Sequence, residues 1–184
     1  MNLRRKFSIR IHIEDIQEIV SFVKDNNKRK QDLYYLLYDE DETVAYQAAW
    51  AFFHFEKKEL QWLYPKQNEL IDEVLICQHG GKRRLLLNLI LRQPVPDSPR
   101  MDFLDFCMER MISKDELPGV QSLCMKMAYE ICRPFPELIQ ELKQMLEIME
   151  PDLLLPSMRA VRKNTLKAIE KEVLHRKTKT ISKK

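Results

Sequence analysis

Glycine is nearly absent from this chain: three residues in 184, at Gly80, Gly81 and Gly119. So few leave little of the positive-φ turn chemistry on which tight β-hairpins depend. Leu, Glu, Lys, Met and Gln are plentiful instead, and they favour helix over sheet. Almost no sheet is expected. Long apolar runs are missing too, since none approaches the roughly 20 residues of a membrane-spanning helix. The cations Arg4, Arg5, Lys6 and Arg10 lead into no apolar signal core. Both absences give the expectation of a cytoplasmic protein with no membrane partner.

Paired cysteines are also lacking. Cys77, Cys107, Cys124 and Cys132 form no C-x-x-C, and each lies within an apolar helical pattern. They read as buried free thiols rather than disulfides or metal ligands. His12, His54, His79 and His175 are scattered, with no G-x-S-x-G or H-E-x-x-H context. Cys77 and His79 make a C-x-H pair, but a zinc site needs further ligands from elsewhere. No catalytic residue, metal or cofactor is read from the sequence, and no enzyme activity is assigned.

What is present is apolar periodicity. With 45% hydrophobic residues against 32% charged, the chain can bury a core as one domain or a short repeat array. The most informative stretch is Asp41 to Phe55, DETVAYQAAWAFFHF. Val44, Ala48, Ala51, Phe52 and Phe55 fall on one helical stripe, and Tyr46, Trp50, Phe53 and His54 on a second, more polar one. Two stripes and the small Ala48-Ala49 pair describe an inner helix walled on more than one side. Asp39, Glu40, Asp41 and Glu42 come at its start, where carboxylates cap free N–H groups and complement the helix dipole.

In chain order, Phe7, Ile9, Ile11 and Ile13 alternate with polar residues and suggest a short extended arm. Helices are expected near 13–24, 28–38, 67–78, 82–92, 100–112, 118–132 and 137–149, with a helix or turn at 57–64 stopped by Pro65. His79-Gly80-Gly81 is expected to break one helix from the next. A basic helix from about Ser157 to His175 comes last. Residues 1–11 thus read as a basic N-terminal arm, residues 12–175 as one helical-repeat domain, and residues 176–184 as a basic disordered tail. A joint is expected at residues 93–99, where Pro94, Pro96 and Pro99 disfavour helix.

Helices beginning near Val44, Arg83, Val120 and Met158 recur at roughly 38 residues, close to the period of helix-pair solenoids. Each follows another amphipathic helix. A helix pair cannot cover its own apolar faces, so pairs stack and leave a wall lined by the second helices. On these residues the chain resembles the HEAT and armadillo families: DETVAYQAAWAFFHF looks like a HEAT second helix, and GVQSLCMKMAYEI and SMRAVRKNTLKAI are fainter copies. HEAT second helices often carry Arg after the Val, a place held here by Ala45. The resemblance implies an all-α fold, an α-α superhelix of about four helix pairs. It implies a non-enzymatic scaffold that binds a protein or peptide partner on its concave face.

That wall would be lined by Tyr46, Trp50, Arg84, Asn88, Gln121, Arg159, Arg162 and Lys163. An aromatic beside a guanidinium suits a peptide or a base, although Trp50 could instead pack between repeats. Gly81, Lys82 and Arg83 open a helix whose free N–H groups and cations could hold an anion. Charge is unevenly spread. Residues 1–10 hold four bases and no acid, and residues 157–184 ten bases against two acids, so a total of +3 leaves about −9 for residues 11–156 by subtraction. The basic C-terminal helix is therefore a second candidate, for nucleic acid. HEAT-type alkylpurine DNA glycosylases, which pair aromatic with acidic side chains around a damaged base, are an enzymatic relative of that idea.

Overall fold

Helices account for 77% of the chain, and no strand occurs among the described residues. The structure, a computed structural model, describes residues 1–181, with side chains through Arg176. The chain divides into two compact units, Met1–Pro94 and Val95–Lys184.

In the first unit the Asn2 side chain accepts from the Arg5 N–H and starts α1 (Leu3–Phe7), whose Leu3 and Phe7 are buried one turn apart. Capping and that apolar pair hold this segment as helix, so the extended arm expected from Phe7 to Ile13 is confined to the residues after it. Next come α2 (Ile13–Val23) and α3 (Asn27–Tyr35), which tightens into a 3-10 turn at Leu36–Tyr38. The Asp41 carboxylate caps α4 (Glu42–Phe53) by accepting from the Thr43 and Val44 N–H groups. α5 (Lys57–Leu60) runs into a 3-10 turn, Gln61–Lys66, that passes through Pro65 instead of stopping there. α6 (Gln67–Ile76) and α7 (Gly80–Leu91) complete the unit. Gly80 and Gly81 belong to α7 itself, because the His79 ring, not a glycine, ends the turn: its Nδ1 accepts from the Lys82 N–H at 2.9 Å.

α4 is the inner helix of this unit, packed on by α1, α2, α7 and the turn after α3. Val44, Ala48, Ala51, Phe52 and Phe55 are at most 2% exposed. The second stripe, Tyr46, Trp50, Phe53 and His54, is half-buried. Burying each large side chain contributes about 1.5–3 kcal/mol, and the buried alanines let the neighbours approach closely enough to achieve it.

The second unit comprises α8 (Met101–Ile112), α9 (Pro118–Cys132), α10 (Pro136–Ile148), a 3-10 turn at Pro151–Leu153 and α11 (Pro156–Ile181). Proline occupies the first position of α9, α10 and α11, where its fixed φ suits the helix and its missing N–H is not needed. α9 is the central helix and packs against α8, α10 and α11. Nothing between His175 and Ile181 breaks a helix, and α11 continues through that stretch instead of ending at His175. The last three residues of the expected tail, 182–184, lie outside the described residues.

The second helices begin at Glu42, Gly80, Pro118 and Pro156, each 38 residues after the one before. All four cysteines are buried free thiols. Burial raises Cys107 well above the ordinary thiol range, with a hydrogen bond to Cys124 adding to it, and pushes Cys132 up to about 12. Thiols so held are poor nucleophiles at neutral pH.

Candidate partner-binding site

Gln47 is the one polar residue on the buried side of α4, and it builds the site. Its Nε2 donates to the Phe7 and Ile9 carbonyls at 2.6 and 2.8 Å, and its Oε1 accepts from the Ile11 N–H at 3.1 Å. The stretch after α1 is thereby pinned across α4. Between the two runs a cleft of about 470 Å³, with Arg10, Ile11, His12 and Ile13 on one side and Thr43, Tyr46, Gln47 and Trp50 on the other.

The aromatic wall is braced from behind. Trp50 meets His54 edge-on at 6.0 Å between centroids, and Tyr46 meets His79 at 5.3 Å. Gly81 lies beneath that second pair, where a Cβ would come within 3.0 Å of the His79 ring and 3.2 Å of Tyr46. Burial, and then the nearby Arg92 guanidinium, lower the pKa of His54. Arg92 itself donates to the Phe53 and Phe55 carbonyls, satisfying the end of α4.

On the opposite wall the His12 N–H donates to Asp15 at 3.0 Å, and this bond, followed by the nearby Lys6, lowers the Asp15 pKa. Arg10 is exposed and has no ion-pair partner among the described residues. The lining therefore combines two aromatic rings, aliphatic Ile11 and Ile13, a cation and hydrogen-bonding groups, and it holds no carboxylate. It lacks the aromatic–acid pair that the glycosylase resemblance implies.

Of the residues expected on a binding wall, Tyr46 and Trp50 come together in this cleft. Arg84 and Asn88 sit on α7, Arg84 exposed and Asn88 half-buried, and neither lines it. In the second unit, Gln121 is buried and donates to the Ser113 carbonyl at 2.7 Å. Arg159 donates to the Pro151 and Leu154 carbonyls, and Arg162 to those of Leu146 and Glu147. Lys163 is exposed.

Gly81, Lys82 and Arg83, expected to meet an anion, form an inner corner instead. Lys82 and Arg83 are 6% and 7% exposed. The Lys82 ammonium lies 2.6 Å from Glu73, and Arg83 donates to the Cys77 carbonyl. The physical reason is the repeat register. Arg83, Gln121 and Arg159 stand 38 residues apart, each reaching back to a carbonyl at or beyond the end of the preceding helix. Cys77, Ser113 and Pro151 lie past the last turn of the helix before, where carbonyls are not covered by the α-helical ladder, and a long donor on the next helix is well placed to reach them. The place that holds Ala45 in the first copy thus holds a carbonyl-satisfying donor in the other three.

Arg10, His12, Thr43 and Gln47 were not among the residues expected from sequence to line a binding wall. The available signal was Gln47 itself, an amide amid Val44, Ala45, Ala48 and Ala49 that has to find partners once buried. Among the described residues no group of three or more His, Cys, Asp or Glu could hold a metal ion, and no helix is long and apolar enough to cross a membrane.

No curated protein and no solved structure matches the chain. The family model described as a HEAT repeat domain matches residues 3–169, taking in the first three helices of the 38-residue register and the first half of the fourth, α11. With that match over an all-helical, 38-residue-periodic fold, the chain belongs to the HEAT repeat domain family.

Proposed function

We propose that this chain is a non-catalytic interaction module that takes a peptide segment of a partner protein into the cleft between Arg10–Ile13 and α4. HEAT repeats generally mediate protein–protein interaction or scaffolding, and the lining of the cleft supports this reading. The observation that carries the reading is the combination of Trp50 and Tyr46, half-buried on one wall, with Arg10, exposed and without an ion-pair partner, on the other. Trp, Tyr and Arg dominate interface energetics because they bury large areas and still offer a polar or charged end. A segment with an apolar side chain next to an acidic one complements these walls: the apolar group against the indole, the carboxylate toward Arg10. Arg84, exposed on α7, supplies a second cation on the same unit.

Selection of peptides from a random display library on the full chain tests this reading. Enrichment of an acidic residue beside an aromatic or aliphatic one is expected. Trp50→Ala should weaken the selected peptide roughly 30-fold and Arg10→Glu at least about tenfold, with the melting temperature unchanged. Undiminished binding by both variants would contradict the proposal. A large loss of stability in Trp50→Ala would show the indole to be core.

A further inference from the structure

The outer face of α11 carries a regular ladder of cations. Arg159, Lys163, Lys167 and Lys171 follow one another every four residues, and all four are exposed. At 1.5 Å per residue the rungs are about 6 Å apart along the axis. Arg159 is engaged with the Pro151 and Leu154 carbonyls. Lys163, Lys167 and Lys171 have no hydrogen bond or ion pair among the described residues, whereas Arg133 pairs with Glu130 and Lys143 with Glu147 in the same unit. The opposite side of the helix is held down by buried Met158, Thr165 and Ile169, which fixes the lysines outward.

We propose that Lys163, Lys167 and Lys171 bind the phosphate backbone of nucleic acid, independently of the cleft in the first unit. Evenly spaced ammonium groups along one helix face match a polymer whose charges repeat at intervals of a few ångströms. Between Arg159 and Lys171 the other exposed side chains are Ala160, Asn164 and Glu170. That face offers no aromatic ring to read a base or grip a peptide side chain, and no large apolar group to enter a lipid surface. Binding is therefore electrostatic and indifferent to sequence. Glu170, the acid on this face, lies three positions from Lys167 and next to Lys171 without pairing to either. Its removal should tighten binding.

The experiment is a salt titration of the full chain against fluorescent duplex DNA, single-stranded RNA, poly-glutamate and phosphatidylserine vesicles. With three phosphates neutralised, log K for the duplex should fall with log salt at a slope near −2.7, and near −2 for single strands (about −0.9 and −0.7 per contact). Lys163→Gln/Lys167→Gln/Lys171→Gln should lose at least about tenfold in affinity and most of that slope, with helicity by circular dichroism intact. Lys114→Gln, at an exposed lysine of the same unit outside α11, should bind like the parent, and Glu170→Gln more tightly. Unchanged binding and slope in the triple variant would overturn the proposal, as would no binding by the parent chain. Equal or tighter binding of poly-glutamate or vesicles would overturn it in favour of an acidic protein or a lipid surface.

Discussion

Gln47 does more for the candidate site than any of the residues that would touch a ligand. One buried amide, 3% exposed, holds two carbonyls and one N–H of the stretch that forms the opposite wall. Gln47→Ala strands those backbone groups in the interior. Each buried group left without a partner costs about 1–3 kcal/mol, so a loss near 3 kcal/mol is expected, since part of the stretch can move out to water. Hydrogen exchange at Ile11 should rise along with it. A change below about 0.5 kcal/mol would show that residues 8–12 are held by something else.

His54 gives the same wall a pH dependence. Its pKa is lowered from the ordinary 6.5, first by burial and then by Arg92. In the window below 6.5 the unfolded chain then binds the proton more readily than the folded one, so stability rises with pH through that window and levels off above it. His54→Gln should flatten this part of the pH–stability profile in chemical denaturation. An identical profile in parent and variant would place the dependence on another group.

At the scale of the element, α4 shows why some structure could be read from the chain and some could not. Its two stripes follow from spacing alone, because a helix of 3.6 residues per turn must carry Val44, Ala48 and Phe52 to one side wherever it sits. The 38-residue register was legible for the same reason, as was the start of α9 at Pro118. The cleft was not. It depends on residues 8–12 lying across α4, and the hydrogen bonds that put them there join positions 36 to 40 apart in sequence. Nor does local sequence tell an arginine that faces solvent from one that turns back to a carbonyl. Arg83 and Arg84 are adjacent, yet one is buried and the other exposed. Ala48 is the sharpest test of the inner-helix reading, being fully buried. Ala48→Leu forces extra methylenes into a filled space and should cost about 1–3 kcal/mol. A neutral result in thermal melting would mean that α4 has room on that side.

For the whole molecule, the 38-residue period continues from the first unit into the second, and the HEAT match covers residues 3–169 of both. Repetition of this kind builds one architecture from copies that need only satisfy their neighbours. It leaves outward-facing positions free to differ between copies. At the place of Trp50 the register has Asn88, Lys126 and Asn164. Only the first copy presents an indole there, which is why the candidate site belongs to the first unit alone. The second unit's distinguishing surface is the lysine face of α11. Neither follows from membership of the family. Each follows from what this chain places at positions the repeat does not constrain.

A partner segment in the cleft would lie against the Trp50 indole. The most direct test is the indole N–H resonance of Trp50 in the full chain, assigned by its absence from Trp50→Phe and followed while a display-selected peptide is added. This signal should shift and saturate with the binding curve while that of Trp62, half-buried and stacked on Phe52, stays in place. A peptide that binds to saturation without moving the Trp50 resonance would contradict this placement.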